Sequence, residues 1–224
     1  MPRRHRRDKL IIVVLTAGIK AVSSRSSGGA RLLVVALLLP GPSCLPGVWP
    51  LPASPLPPNL HVIEEGQAYR SDQPIADQLA NIIDLYGIRT VVNLRGSNPG
   101  ELWYDAEVEA CEIMGVTLVD HAMSAGSLPS AELLGAITNT LLTAEYPVLI
   151  HCQMGADRTG AISAIYRMLV LGHERADALS ELSPAYFHFR ALYPCMDTLA
   201  ELYEPGPEWL AEYAETVDDL VCTP

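Results

Sequence analysis

The sequence predicts an α/β domain in which a central, mainly parallel sheet is flanked by helices. Two observations carry this prediction. Short apolar runs typical of buried strands alternate with segments whose apolar residues recur at helical spacing, and this alternation favours βαβ units. In addition, a loop at residues 151–160 lies between the apolar run 147–150 and the helical segment 161–170. Such strand-to-helix loops lie where ligands bind in parallel sheets.

The remaining elements follow from local patterns in chain order. Glycine and proline mark their ends, and their apolar spacing gives their type. The expected elements are two strands around Gly66 in 59–71, a helix after Pro74 ending at Gly87, a strand at 90–95, a loop at 96–100, a helix at 101–114, a strand at 116–121, a helix at 129–143, a strand at 147–151, and helices at 161–170, 175–183 and 207–219. His188, in the aromatic cluster 186–190, is interpreted as a packing residue.

The chain divides at about residue 58. Residues 1–58 hold eight of the fifteen basic residues within their first 31 positions, followed by two apolar runs and a proline-rich stretch. A basic start before an apolar run is typical of a secretory signal or an N-terminal anchor, although each run is shorter than the roughly twenty residues that span a bilayer. We therefore expect export or membrane anchoring. A disordered basic leader on a cytoplasmic protein is the alternative.

The rest of the chain is strongly acidic. Residues 32–224 contain seven arginines, no lysine and twenty-five acidic residues, which gives a net charge of −18. A domain of this charge repels nucleic acid and anionic lipid, so neither is an expected partner. The position of each arginine is correspondingly informative.

The five cysteines show neither paired spacing nor histidines at ligand spacing. The sequence therefore predicts neither a disulfide framework nor a metal site. Cys111, Cys195 and Cys222 are interpreted as structural residues, each able to resolve an oxidised Cys152 if it lay nearby.

The loop at residues 151–160 has the composition of an anion site. Backbone N–H groups that close onto a helix N-terminus bind phosphate and favour a thiolate over a thiol. Cys152 is therefore the candidate nucleophile. Arg158 can bind phosphate oxygens in pairs with its planar guanidinium.

The other loop residues have supporting roles. Gly155 permits a tight loop, and Gly160 is expected to let the helix pack close to its strand. Thr159 supplies a hydroxyl that can stabilise the thiolate or assist a second chemical step. His151 is expected to bond the loop backbone without touching the substrate. Three uncharged residues complete the expected phosphate cradle: Gln153, Met154 and Ala156.

The pattern His-Cys-x5-Arg-Thr-Gly resembles the signature of the cysteine-dependent protein tyrosine and dual-specificity phosphatases. Together with Tyr69-Arg-Ser-Asp-Gln-Pro74 and Val92-Asn-Leu-Arg-Gly96, it resembles a bacterial branch of atypical dual-specificity phosphatases, and also the fungal and plant enzymes that cleave inositol pyrophosphates. The resemblance covers about residues 59–203. It implies a phosphatase domain at 59–224 with a phosphatase-type P-loop, a phosphocysteine intermediate and no cofactor. Arg70 and Arg95 would support this site or contact the substrate.

A general acid is the missing part. Such enzymes usually place an Asp on a mobile loop, and proton donation contributes about 10²–10⁴ in rate. The loop 121–129 has no carboxylate, and Gly126 stands where periplasmic relatives carry their acid. Asp120 and Asp157 are the expected substitutes. Alternatively, the substrate has a good leaving group and needs no strong acid.

The expected activity is hydrolysis of a phosphomonoester, with phosphotyrosine favoured because the loop interior is uncharged. The alternatives are an inositol pyrophosphate or phosphoinositide phosphatase, a phospho-binding module without catalysis, and a thiol redox or sulfur-transfer protein. The spacing of Arg158 and the glycines fits phosphate better than the last of these.

Overall fold

A computed structural model describes residues 55–223, so that the expected leader lies outside them apart from its last four residues. Within that range, five strands form one sheet in the order β1-β2-β5-β3-β4, with β1 antiparallel to β2 and the other neighbours parallel. The strands are β1 (His61–Glu64), β2 (Ala68–Ser71), β3 (Thr90–Asn93), β4 (Thr117–Asp120) and β5 (Val148–His151). The predicted fold class is confirmed.

Helices flank the sheet. They are α1 (Ala76–Tyr86), α2 (Leu102–Met114), α3 (Ala131–Thr143), α4 (Asp157–Leu169), α5 (Arg175–Ala178), α6 (Pro194–Leu202) and α7 (Pro207–Thr216). Helix α6 was not predicted from the sequence; it begins with a proline in its first turn, a position that proline favours. The expected helix at 175–183 is shorter, because α5 passes into a 3₁₀ turn at Leu179–Glu181 ahead of Pro184. Between residues 55 and 223, no helix is both long and apolar enough to cross a membrane.

Both faces of the sheet are buried. Leu79 and Ile82 of α1 pack on one face against Val91 and Leu149. On the other face, α3, α4 and α6 cover the remaining strand residues: Leu134, Ile137, Ile162, Ile165 and Met196 pack against Val92, Val148 and Ile150. Burial on both sides explains why the strands are apolar throughout instead of alternating with polar residues.

The carboxyl ends of the strands meet at one edge. In the parallel register, Ser71 and Asn93 each lie beside His151, and Asp120 lies beside Asn93. The segments that follow these residues therefore carry the candidate site, as the sequence predicts for a parallel sheet.

Candidate active site

The loop between β5 and α4 consists of residues 152–156, with Cys152 only 2% exposed at its base. Gly155 has a φ of +67°, and a Cβ there would come within 2.5 Å of the backbone of Ser71 and Asp72. Only glycine satisfies both the left-handed conformation and this close approach. The loop is thus closed tightly against the end of β2, while Gln153 and Met154 remain exposed.

Arg158 lies in the first turn of α4. Its Nη1 donates to the carbonyl oxygens of Leu94 at 3.3 Å and Met123 at 3.1 Å. These contacts come from the segments after β3 and β4, so three strand ends together fix the guanidinium. The remaining guanidinium donors are left for an anion.

Arg95 provides a second cation at the same edge. Its guanidinium lies 3.3 Å from the ring centroid of Trp103, and Nη1 donates to Gln73 Oε1 at 2.9 Å. Burial lowers the pKa of Arg95, and the nearby positive charge of Arg158 lowers it further. The two guanidinium groups therefore lie near enough to influence each other.

These two arginines differ from the others in residues 55–223. Each of the other five arginines pairs with a glutamate: Arg70, Arg89, Arg167, Arg175 and Arg190. Arg95 and Arg158 make hydrogen bonds to neutral oxygens instead. In an acidic domain, two cations left without carboxylate partners form a candidate anion-binding site.

His151 lies behind the loop. Its side chain is fully buried, with Nε2 at 2.7 Å from Glu107 Oε1 and Nδ1 at 3.3 Å from the carbonyl oxygen of Cys152. The ring therefore joins α2 to the loop backbone, and the contact with the loop backbone is the one expected from the sequence. Glu107 was not predicted as the partner of His151. Its position on the buried side of α2, one turn before Cys111, could have indicated a buried glutamate with a charged partner.

Arg70 is enclosed behind the loop, so the structure favours its supporting role over a contact with substrate. The side chain is fully buried and pairs with Glu181 at 2.7 Å. Its Nη2 donates to the carbonyl oxygen of Gly155 at 2.7 Å, and its guanidinium lies over the ring of Tyr186. Arg70 therefore supports the loop from behind, which agrees with the other role considered for it.

Thr159 and Gly160 complete the first turn of α4. Thr159 is fully buried, and its hydroxyl finds no hydrogen-bond partner among residues 55–223. The hydroxyl is free to donate, as a role beside a thiolate requires. The sequence predicted that Gly160 lets α4 pack close to the preceding strand. Its close neighbours are instead Leu182 and Glu181, since a Cβ at Gly160 would lie 2.8 Å from the Leu182 side chain and 2.9 Å from the Glu181 carbonyl oxygen. The absence of a side chain at Gly160 therefore makes room for the 3₁₀ turn after α5 and not for the preceding strand.

Asp120 lies at the edge of the site, apart from the loop. Its Oδ1 accepts from Asn93 Nδ2 at 2.8 Å, and its Oδ2 accepts from the Tyr104 hydroxyl. The hydrogen bond to Asp120 raises the pKa of Tyr104. Asp120 on β4 and His151 on β5 lie on either side of β3. Because neighbouring strands are about 5 Å apart, the two residues are separated by about 10 Å across the sheet.

Asp157, the first residue of α4, has a partner that the sequence did not reveal. Its Oδ1 lies 2.8 Å from Nδ1 of His188, whose Nε2 lies 2.8 Å from Oδ2 of Asp197. His188 is buried, as a packing residue is, but both of its ring nitrogens are also engaged by carboxylates.

Two of the cysteines differ from what the sequence predicted. Cys195 and Cys222 form a disulfide, so neither is a free thiol able to resolve Cys152. The Cys195 sulfur lies 3.5 Å from the carbonyl oxygen of Gly126, within the loop that lacks an acid. Burial, followed by the charges of Glu107 and Asp120, raises the pKa of Cys111 to about 12. That thiol is consequently a poor nucleophile.

A buried cysteine at the base of a strand-to-helix loop, with an arginine six residues further on, is the arrangement of the cysteine-dependent protein phosphatases. Residues 59–192 match the family described as DSP-PTPase phosphatase fused to NAD⁺ kinase. Since the match covers more than half of the chain, the protein belongs to this family.

Two named relatives agree with this assignment. The dual specificity protein phosphatase TpbA of Pseudomonas aeruginosa strain UCBPP-PA14 is 32% identical over 121 residues, which are 53% of this chain and 51% of TpbA. The alignment thus spans about half of that relative. OCA1 of Mycosarcoma maydis, named as a candidate tyrosine-protein phosphatase, is 30% identical over 115 residues, which are 50% of this chain and 71% of OCA1.

Solved structures share the fold. The crystal structure of P. aeruginosa TpbA superposes with a TM-score of 0.52 at 22% identity, covering 71% of this chain and 91% of that one. The core catalytic domain of the PP-IP phosphatase SIW14 from S. cerevisiae gives a TM-score of 0.55 at 23% identity, covering 75% and 98%.

Proposed function

We propose that the protein hydrolyses phosphomonoesters, with phosphotyrosine in proteins as the favoured substrate, through a phosphocysteine intermediate. The observation that carries the proposal is the loop that holds Cys152 at its base and is followed one turn later by Arg158, which has no carboxylate partner among residues 55–223. Membership of the phosphatase family supports it, as does the name of TpbA as a dual specificity protein phosphatase.

The reaction proceeds in two steps. The Cys152 thiolate attacks phosphorus and the ester oxygen leaves, while the loop N–H groups and Arg158 stabilise the charge on the equatorial oxygens. Water then attacks the phosphocysteine and releases inorganic phosphate and the thiolate. Thr159, with its unpaired hydroxyl, is suited to stabilise the thiolate as it leaves.

Arg95 favours a second candidate function, the hydrolysis of an inositol pyrophosphate. A cation beside Arg158 suits a substrate that carries further negative charge, and SIW14 is named as a PP-IP phosphatase. The full chain should therefore be assayed against p-nitrophenyl phosphate, a phosphotyrosine peptide, a phosphoserine peptide and an inositol pyrophosphate. Preferential turnover of the phosphotyrosine peptide supports the first proposal, whereas turnover of the pyrophosphate alone supports the second.

The same assay identifies the proton donor. We expect Asp120→Asn or Asp157→Asn to slow the phosphotyrosine peptide about 10²- to 10⁴-fold if that residue is the acid. p-Nitrophenyl phosphate should be affected much less by Asp120→Asn, because its leaving group needs little protonation, whereas Asp157→Asn also removes the contact with His188 and should slow both substrates. Equal rates for both variants and the unmodified chain on both substrates would contradict a role for either aspartate as the acid.

We further propose that the protein works in an extracytoplasmic compartment. The basic and apolar leader supports this, as does the disulfide of Cys195 with Cys222, since disulfides persist in oxidising compartments. We expect alkylation of the denatured, unreduced protein from its host to label Cys111 and Cys152 but neither cysteine of the disulfide. Labelling of Cys195 and Cys222 before reduction would count against this localisation.

A further inference from the structure

We propose that His188 is a positioning residue for the catalytic turn. As an imidazolium held between Asp157 and Asp197, it fastens the start of α4 to α6 and so fixes Arg158, the residue next to Asp157. This inference rests on the proposed phosphatase activity, since its effect is measured through Arg158.

With Asp157 and Asp197 both ionised, the hydrogen-bond geometry requires two protons on the ring. Nδ1 lies 2.8 Å from Asp157 Oδ1, and Nε2 lies 2.8 Å from Asp197 Oδ2. A neutral imidazole has a single N–H donor, whereas the imidazolium has two. Only the charged ring therefore donates to both carboxylates, and such charge-assisted hydrogen bonds are about twice as strong as neutral ones.

The backbone around His188 is arranged to turn this ring inward. Phe187 has a φ of +63°, a left-handed conformation that non-glycine residues rarely adopt. Phe187 and Phe189 are 59% and 50% exposed, whereas His188 between them is 2% exposed. The turn therefore buries the polar ring and leaves the two apolar rings at the surface, which is the reverse of what hydrophobic packing alone would favour.

The charges around the ring favour its protonated form. Burial lowers the pKa of His188, but hydrogen bonds to Asp157 and Asp197 and the charges of both carboxylates outweigh burial, so that its pKa is raised. Asp157 faces the ring from α4 and Asp197 faces it from α6. Arg190 acts on Asp197 from the same segment as His188, and Arg190 is itself paired with Glu201 of α6.

The sign of the pH dependence follows. Because the folded pKa of His188 is raised, the bridge is complete below the ordinary histidine pKa of about 6.5 and is lost as the pH rises through the higher folded value. Above that pH one carboxylate loses its hydrogen bond. The turn that carries Arg158 then loses its link to α6 and keeps the contacts of Arg158 with Leu94 and Met123 and that of Arg70 with the loop.

The test compares pH profiles of kcat for p-nitrophenyl phosphate in the unmodified chain and three variants. We expect His188→Gln to lower kcat about 10- to 100-fold near neutral pH, because a misplaced Arg158 loses its alignment, and to remove the alkaline limb that His188 sets. Asp197→Asn should move that limb to lower pH, since one of the two carboxylates that raise the pKa is gone. His173→Gln, whose ring contacts Arg167 away from the loop, is the matched control and should keep the original profile.

Two outcomes separate the hypotheses. If the unmodified chain hydrolyses the ester and His188→Gln and Asp197→Asn both retain its profile, the positioning role is wrong. If the unmodified chain hydrolyses nothing, the proposed function fails instead. Proton NMR titration of the His188 ring in the unmodified chain gives an independent readout, with a midpoint above the ordinary value expected and one below it contradicting the bridge.

Discussion

Replacing Cys152 by serine should abolish hydrolysis of every substrate that the protein accepts, with a loss of at least about 10⁴-fold in kcat. The serine hydroxyl is far less acidic than a thiol and forms no anionic nucleophile in this loop, so no phosphorylated intermediate is made. Phosphate binding should survive, because Arg158 and the loop N–H groups are unchanged. Steady-state rates and equilibrium binding of a phosphotyrosine peptide measure the two effects separately.

The matched control is Cys111→Ser. Cys111 is the other free cysteine among residues 55–223 and is also buried, but it packs between α2 and the sheet. Its replacement should leave kcat close to that of the unmodified chain, with only the stability cost of a hydroxyl in an apolar site. Hydrolysis by Cys152→Ser, or equal losses for the two variants, would exclude Cys152 as the nucleophile.

Replacing Glu181 by glutamine should destabilise the fold by about 3–5 kcal/mol, because a buried cation then lacks its counter-charge. Arg70 and Glu181 are 0% and 2% exposed and lie 2.7 Å apart. Burial lowers the pKa of Arg70, and Glu181 is the group that most opposes this effect. Since the same guanidinium holds the Gly155 carbonyl oxygen, kcat should fall together with stability.

Urea unfolding at neutral pH measures the first effect. Glu145→Gln is the matched control, since Glu145 pairs with Arg89 at 3.2 Å in a solvent-exposed pair. An exposed pair contributes roughly 0–1 kcal/mol, so this variant should unfold close to the unmodified chain. Similar unfolding free energies for the two variants would show that the buried Arg70–Glu181 pair does not stabilise the fold.

The sequence alone predicts those parts of the site whose residues lie close together in the chain. The P-loop at 152–156, the nucleophile and Arg158 lie within ten consecutive residues, so their spacing alone places them on one turn. Arg95 and Asp120 could be placed at the same sheet edge because parallel strands share their carboxyl ends.

The parts that sequence reasoning missed depend on contacts between distant segments. Arg70 and Glu181 are separated by 111 positions, and His188 and Asp157 by 31. No periodicity or motif links such pairs. A charged residue that is buried in an ion pair therefore cannot be distinguished in the sequence from one that lies on the surface. The disulfide shows the same limit, since spacing alone does not pair Cys195 with Cys222.

Capture of the phosphocysteine tests the central claim most directly. The full chain is mixed with excess phosphotyrosine peptide, quenched in acid within a turnover, digested, and analysed by mass spectrometry for the peptide that contains Cys152. We predict one added phosphoryl group on Cys152, absent from the Cys152→Ser variant and absent after the reaction has run to completion. Turnover with the phosphoryl group on another residue, or with none captured on Cys152, would contradict the account.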